Sequence, residues 1–384
     1  MRVLYGLLDE EYRRARQSSL AEHPTVAGSD PENLDLGEDG INLDSMELLT
    51  AAGVVNEFFH LHESGVEDYL LRRRRLSAWA EVVEHALAEG VSGVTFRTGG
   101  STGAPKSVFH RWQEIEQETS FLADLLSCRS RVISTVPAHH IYGFLFTVML
   151  PEALGVSRVD TAWQELGSLH RLLAARDLVV AHPTIWRYLQ RSVPDWPSSV
   201  WGTSSTAPLP MILHQELYDA GIERLIEVYG STESGGIGFR ERPGEPFSLF
   251  PYYQWSNGGN TLFRRDPEGG ELQPVTVMDE LERREGRRFF PAGRRDRVVQ
   301  VGGENVSLRE VEAELRGVPG VRDAAARLNG EGPEARVKAF VVPEPGSDLD
   351  VSRLAAHCRE RLRPAARPLS FTIGEELPRN PLGK

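Results

Sequence analysis

Three short apolar runs separated by amphipathic stretches constrain this chain more than any other feature. Residues 131–137 (RVISTVP), 177–183 (DLVVAHP) and 224–230 (RLIEVYG) read as buried strands, each ending in turn residues. Between them, 168–176 (SLHRLLAAR) and 210–221 (PMILHQELYDAG) have helical periodicity. This alternation predicts an α/β sheet with crossover helices over 91–292. Residues 245–275, rich in Gly, Pro and aromatics, read as loops with β-hairpins.

The flanks differ from this middle. Residues 1–90 read as helical. At 47–60, Leu48, Leu49, Ala52, Val55, Phe58 and Phe59 fall on one helix face behind the cap candidates Asp44 and Ser45. The run Arg72–Arg75 leads into a further amphipathic helix and reads as a solvated face. Residues 293–384 read as a small α+β unit. Gly302-Gly303 turns a hairpin, and Ser307 with Glu310 has capping-box spacing. A length of 384 residues suits two or three such units.

Composition excludes several classes. The formal charge of −12 argues against binding nucleic acid through phosphate neutralisation. No run of about 18 apolar residues predicts a membrane span. The start, MRVLYGLLDEEYRRAR, does not read as a signal peptide. Cys128 and Cys358 are far apart and lack metal-ligand spacing, which predicts a reducing, cytoplasmic setting without zinc.

The chemistry concentrates at Thr98-Gly99-Gly100-Ser101-Thr102-Gly103-Ala104-Pro105-Lys106, after the apolar run GVTF. Glycines let backbone N–H groups approach an anion, hydroxyls add donors, and Lys106 adds a point charge. The order matches neither the G-x-x-x-x-G-K-[ST] phosphate loop nor G-x-G-x-x-G.

This stretch resembles the signature loop of the adenylate-forming superfamily, which includes acyl- and aryl-CoA synthetases, luciferases and the adenylation domains of peptide synthetases. Five further motifs follow in the family's order. VPAHHIYGF (136–144) resembles the His-aromatic motif, and SSTAPLP (204–210) the loop past the adenine. EVYGSTE (227–233) resembles Y-G-x-T-E, GRRD (293–296) the hinge, and PRNPLGK (378–384) the terminal P-x-x-x-x-G-K. The resemblance covers 91–384.

It implies a multi-domain adenylate-forming fold. A helical segment (1–90) would precede a large α/β domain for ATP and acid (91–292) and a small mobile α+β domain with the catalytic lysine (293–384). It also implies that ATP, with Mg²⁺, activates a small carboxylic acid as an acyl-adenylate, and that a thiol of CoA or of phosphopantetheine on a carrier protein then displaces AMP. Carboxylate and triphosphate repel, so catalysis must supply positive charge and positioning.

By this resemblance Lys384 is catalytic, Thr232 meets the α-phosphate and Glu233 holds Mg²⁺. Thr98, Gly99, Gly100, Ser101, Thr102, Gly103, Lys106, Ser205, Thr206, Glu227, Gly230 and Ser231 would contact the nucleotide. Tyr229 would stack on adenine, and Asp279 would take the ribose hydroxyls, although the family's Thr and Gly before that Asp are replaced by Val277-Met278. Arg294 would add a ribose or phosphate contact. His140, Phe144 and Ser204 would line the acid's pocket, and Asp296 would be the hinge. Gln300 stands where the family often has lysine. An apolar pocket with a few polar groups would suit an aromatic or short enoic acid. The aspartate that peptide-synthetase adenylation domains place near the His-aromatic motif has no counterpart from 136 to 150, which argues against an amino-acid substrate.

The front end departs from the family. Residues 44–46 (DSM) resemble the carrier-protein signature whose serine, here Ser45, receives phosphopantetheine. A helix at 45–61, a loop at 62–66 and helices at 67–73 and 77–89 fit that pattern; plain capping by Asp44 explains the same residues. An adenylate-forming ligase with a nitrogen acceptor and a non-catalytic nucleotide-binding or carrier-docking protein remain open alternatives.

Overall fold

The computed structural model describes residues 1–23, 31–98, 106–161, 163–257, 259, 261–294, 298–330, 334–375 and 377. Among these, the largest sheet has nine strands. Five are parallel: Ser157–Asp160, Arg131–Ser134, Asp177–Ala181, Trp201–Ser204 and Arg224–Ser231, in that spatial order. The sheet continues antiparallel through Gly235–Arg240, Phe247–Leu249, Arg288–Arg294 and Asp279–Arg283.

The three apolar runs are interior strands of this sheet, and their alternation explains why both faces are covered. Val132, Leu178, Val180, Ile226 and Val228 point into one core. Ile133, Val179, Ala181 and Leu225 point into a second core, beneath the helices Pro183–Ser192 and Met211–Asp219. One expected crossover helix differs. Trp163–Arg171 is a 3₁₀ helix and stops before the expected end at 176. Leu166 and Leu169 both enter the second core, and the three-residue 3₁₀ repeat aligns them.

The helices of the front end share the first core. Leu4, Leu7 and Leu8 of Arg2–Arg16 pack with Val54, Val55 and Phe58 of Ser45–Phe59, and with Trp79 and Val83 of Leu76–Glu89. The same cluster holds Phe96, Phe144 and Phe289. Phe58 meets Phe96 at a ring distance of 5.2 Å and Phe144 at 6.0 Å. Polar contacts add to this. Arg2 bonds Thr147 Oγ1 (2.6 Å), Ser134 Oγ (2.5 Å) and Asp160 (2.7 Å) at the carboxyl ends of two sheet strands.

Residues 298–375 have a third core of their own, including Val306, Val311, Leu315, Val341 and Leu354. The expected hairpin pairs Val298–Val301 with Glu304–Ser307 across Gly302 and Gly303, whose φ values of 59° and 89° only glycine adopts readily. Ser307 Oγ accepts from the Glu310 N–H at 3.3 Å, capping Leu308–Arg316 as the spacing predicts. A three-stranded sheet, Val321–Asn329, Arg336–Pro343 and Ser370–Ile373, completes the unit with the helix Val351–Arg361. No helix among the described residues is long and apolar enough to cross a membrane.

Candidate active site

The candidate residues gather at the carboxyl edge of the parallel strands. In this sheet type, ligands bind outside that edge, where the connections reverse direction. The reversal lies between Arg131–Ser134 and Asp177–Ala181, whose successors lie on opposite sides. The His-aromatic segment is fastened there. The Tyr142 hydroxyl donates to the Ala181 carbonyl (3.2 Å) and lies 2.8 Å from Thr203 Oγ1. Gly143 is obligatory, because a Cβ there would lie 1.9 Å from the Pro137 carbonyl oxygen.

The two histidines differ. His139 Nε2 lies 3.3 Å from Glu10 of the first helix, and its ring abuts Gly6. The bond to His139 holds the Glu10 carboxyl at about 2. His140 keeps an exposed side, yet crowding protein and then the neighbouring His139 imidazole push it down to about 4, against the pull of Glu10. A neutral imidazole at neutral pH suits the wall of an acid's pocket. Phe144 is 2% exposed, closed among Phe58, Phe96 and Trp112, so it shapes this region from the core. Ser204 ends its strand with a fully buried hydroxyl that has no hydrogen-bond partner among the described residues.

The strand Arg224–Ser231 carries the most motif residues. The Tyr229 hydroxyl donates to Asp279 Oδ2, and its half-buried ring meets Phe247 and Phe289 at 5.4 and 5.3 Å. That bond brings Asp279 to the nucleotide motif although the residues before it depart from the family pattern. Gly230 admits the neighbouring strand, since a Cβ would stand 2.2 Å from Gly235 O. Glu227 is buried, accepting from Arg240 Nε (2.7 Å) and from the Leu209 N–H (3.1 Å). It therefore anchors the 204–210 loop from beneath. Ser205 Oγ donates to Val228 O at 2.9 Å, and Thr206 takes a left-handed φ of 75° in the same loop.

Glu233 sits exposed in the turn after this strand. The turn is held on several sides. Ser234 Oγ accepts from the Ser231 N–H (3.2 Å), and Tyr253 donates to Ser234 O (2.7 Å). His110 Nε2–H donates to the Thr232 carbonyl at 2.7 Å, which fixes its tautomer; burial pushes its pKa down. Beneath, Glu118 accepts from the Gly236 N–H at 2.9 Å. Burial raises this carboxyl to about 7, with Arg264 and the Gly236 bond opposing. An open carboxylate beside fixed hydroxyls is a hard-oxygen donor set of the kind Mg²⁺ prefers.

The strands Gly93–Thr98 and Lys106–Arg111 pair antiparallel in continuous register, ending with Thr98 opposite Lys106. Lys106 is exposed. Gly99, Gly100, Ser101, Thr102, Gly103, Asp296 and Lys384 lie outside the described residues, as do the side chains of Thr98 and Arg294. The Arg294 backbone pairs with Asp279. Gln300 bonds Asn305 within its own hairpin. Exposed Ser45 starts its helix behind Asp44, which makes a full capping box with Glu47. Sequence reading missed Glu10, Glu57, His110 and Glu118, which belong to no motif and reach the site only through folding.

The AMP-binding enzyme model matches residues 77–281, and the AMP-binding enzyme C-terminal domain matches 310–384. A 4-coumarate–CoA ligase of Halorhodospira halophila is 41% identical over 99% of this chain and 100% of its own length. A 4-coumarate–CoA ligase of Rhodobacter capsulatus is 35% identical over 100% of this chain and 98% of its own. Among solved structures, o-succinylbenzoate CoA synthetase of Bacillus subtilis shares the fold. Its TM-score is 0.60 at 19% identity, covering 83% of this chain and 72% of that one.

Proposed function

This chain belongs to the AMP-binding enzyme family, and on that footing we propose that it activates an aromatic enoic acid of the 4-coumarate type and transfers it to CoA. It is an ATP-dependent acid–thiol ligase that works through an acyl-adenylate. The observation that carries the site reading is the convergence of Tyr229–Asp279, the His110-held Thr232 and the Tyr142-fastened His140 on one edge of the sheet.

Asp279 takes the ribose hydroxyls, and Tyr229, fixed by that carboxylate, stacks on the adenine. The acid lies between His140 and Ser204, whose hydroxyl has no partner among the described residues and can donate to it. Neutral His140 adds no charge to hold the carboxylate away from the α-phosphorus. The carboxylate oxygen attacks that phosphorus and pyrophosphate leaves. Lys106, Thr232 and Lys384 supply charge and donors to the phosphates as charge shifts to the leaving group. Mg²⁺, held by Glu233, would neutralise phosphate charge. The CoA thiol then attacks the acyl carbonyl, its proton is lost to solvent, and AMP leaves. Asp296 serves as the hinge between the two half-reactions.

CoA is the acceptor; the comparisons lend no support to a carrier-protein partner or to a modified Ser45. Free Cys128 and Cys358 support a cytoplasmic setting. The test is pyrophosphate release with aryl-enoic, saturated aryl and fatty acids, followed by product mass with CoA against amine acceptors. We expect acid-dependent release, greatest for aryl-enoic acids, and a CoA thioester. Release that favours fatty acids, or an amide product, would overturn the assignment.

A further inference from the structure

The stretch between Thr98 and Lys106 can present donors to a triphosphate only if its two stems are held at a fixed spacing and tilt. The strands Gly93–Thr98 and Lys106–Arg111 form a two-stranded sheet, and two-stranded ribbons are marginal on their own. One side chain from the front end spans both stems. Glu57 Oε2 accepts from Arg97 Nε at 3.0 Å and also from its Nη2, while Glu57 Oε1 accepts from Ser107 Oγ. Arg97 and Ser107 are directly opposed in the ladder, and the next pair is Thr98 opposite Lys106. One carboxylate thus bridges both strands a single step below the glycine-rich segment.

Two observations show that this contact has been built. Glu57 lies in the last turn of Ser45–Phe59, where the helix dipole disfavours a carboxylate, so its placement is explained by what it grips rather than by helix preference. Arg97 is engaged from a second helix as well, through Glu11 at 3.4 Å. Burial acts to raise the Glu57 carboxyl, yet the bonds from Ser107 and Arg97 outweigh it and hold the carboxyl below the usual range.

We propose that Glu57 is a positioning residue for ATP: by bridging Arg97 and Ser107 it fixes the stems of the glycine-rich segment and so the place of Lys106. This rests on the assignment of that segment to the phosphates. The Glu57–Arg97 pair is about a third exposed, and such pairs add little to global stability. Positional errors of an ångström, in contrast, cost up to about a hundredfold in rate.

The experiment compares wild type, Glu57→Ala, Glu57→Gln, Arg97→Gln and the double Glu57→Gln/Arg97→Gln in four readouts: Kd for Mg-ATP without acid, KM for Mg-ATP, KM for the acid, and Tm. Glu57→Ala should raise Kd and KM for Mg-ATP about tenfold, leave the acid's KM within about twofold, and keep Tm near wild type. The two Gln variants should be non-additive on the ATP terms, because they break the same bridge. Unchanged Mg-ATP constants in Glu57→Ala, equal rises for ATP and acid, or additive Gln effects would overturn the proposal. If wild type lacks acid-dependent pyrophosphate release, the ligase assignment fails by itself, and the Kd comparison still decides the role of Glu57.

Discussion

The first ninety residues and the C-terminal unit relate to the central sheet in opposite ways. The front helices carry none of the six adenylation motifs, yet Phe58, Trp79 and Leu4 sit in the same apolar cluster as Ile226 and Phe289 of the nine-stranded sheet. The C-terminal unit has the motif lysine in its sequence, yet Val311, Val341 and Leu354 close a core that, among the described residues, is formed within 298–375. A shared core transmits position, because packed interiors do not deform smoothly. A separate core leaves a body free to turn as a whole, which a two-step reaction using one lysine requires. The front end thus packs as part of the central body while residues 298–375 pack on their own core; we propose that the first serves as scaffold and the second as the movable carrier of Lys384.

Lys384→Ala gives the largest expected effect. Adenylation measured by pyrophosphate release should fall by about 10²–10³-fold, as when a charge-stabilising group is removed, while Tm stays unchanged. A rate within a few-fold of wild type would show that the C-terminal unit brings no reagent. Next come paired core truncations. Phe58→Ala should cost about 3–5 kcal/mol and Leu354→Ala about 2–5 kcal/mol. Hydrogen exchange should distinguish them. Phe58→Ala should loosen the front helices together with the central sheet, and Leu354→Ala only residues 298–375. Loosening confined to the front helices in Phe58→Ala would break the shared-core argument.

The smallest effect concerns Glu118, under the Thr232–Glu233 turn. Its folded pKa of about 7 lies above the ordinary carboxyl value of about 4.3. The protonated form is thus favoured by folding. Its contribution is complete below about pH 4 and is lost as pH rises through about 7. Glu118→Gln mimics the protonated carboxyl, so Tm should decline less between pH 5 and 8 than in wild type. A parallel Tm profile would place the ionisation elsewhere.

Much of this was legible beforehand. The runs at 131–137, 177–183 and 224–230 are interior strands of the sheet, because alternating burial on two covered faces requires continuous apolar stretches. Gly302-Gly303 and Ser307 were legible because turns and caps are local. The 3₁₀ form of Trp163–Arg171 was not, since its apolar spacing suits either helix and packing chose between them. Carrier-like patterning at 44–46 was legible but ambiguous. The fold shows an exposed serine behind a complete capping box, and the 41% identity to a CoA ligase extends over 99% of this chain, front end included.

By itself the sequence determined the fold class, the order of the motifs and the kind of chemistry, because strand burial, turns and a phosphate-seeking segment are written in neighbouring residues. Only the tertiary structure decided that Glu57 grips both stems of that segment, that His110 holds Thr232, that Tyr229 holds Asp279, and that the front helices are part of the catalytic core. Those pairs lie 40 and 50, 122, and 50 residues apart. Contacts over such separations depend on how the whole chain packs, and local pattern carries no record of them.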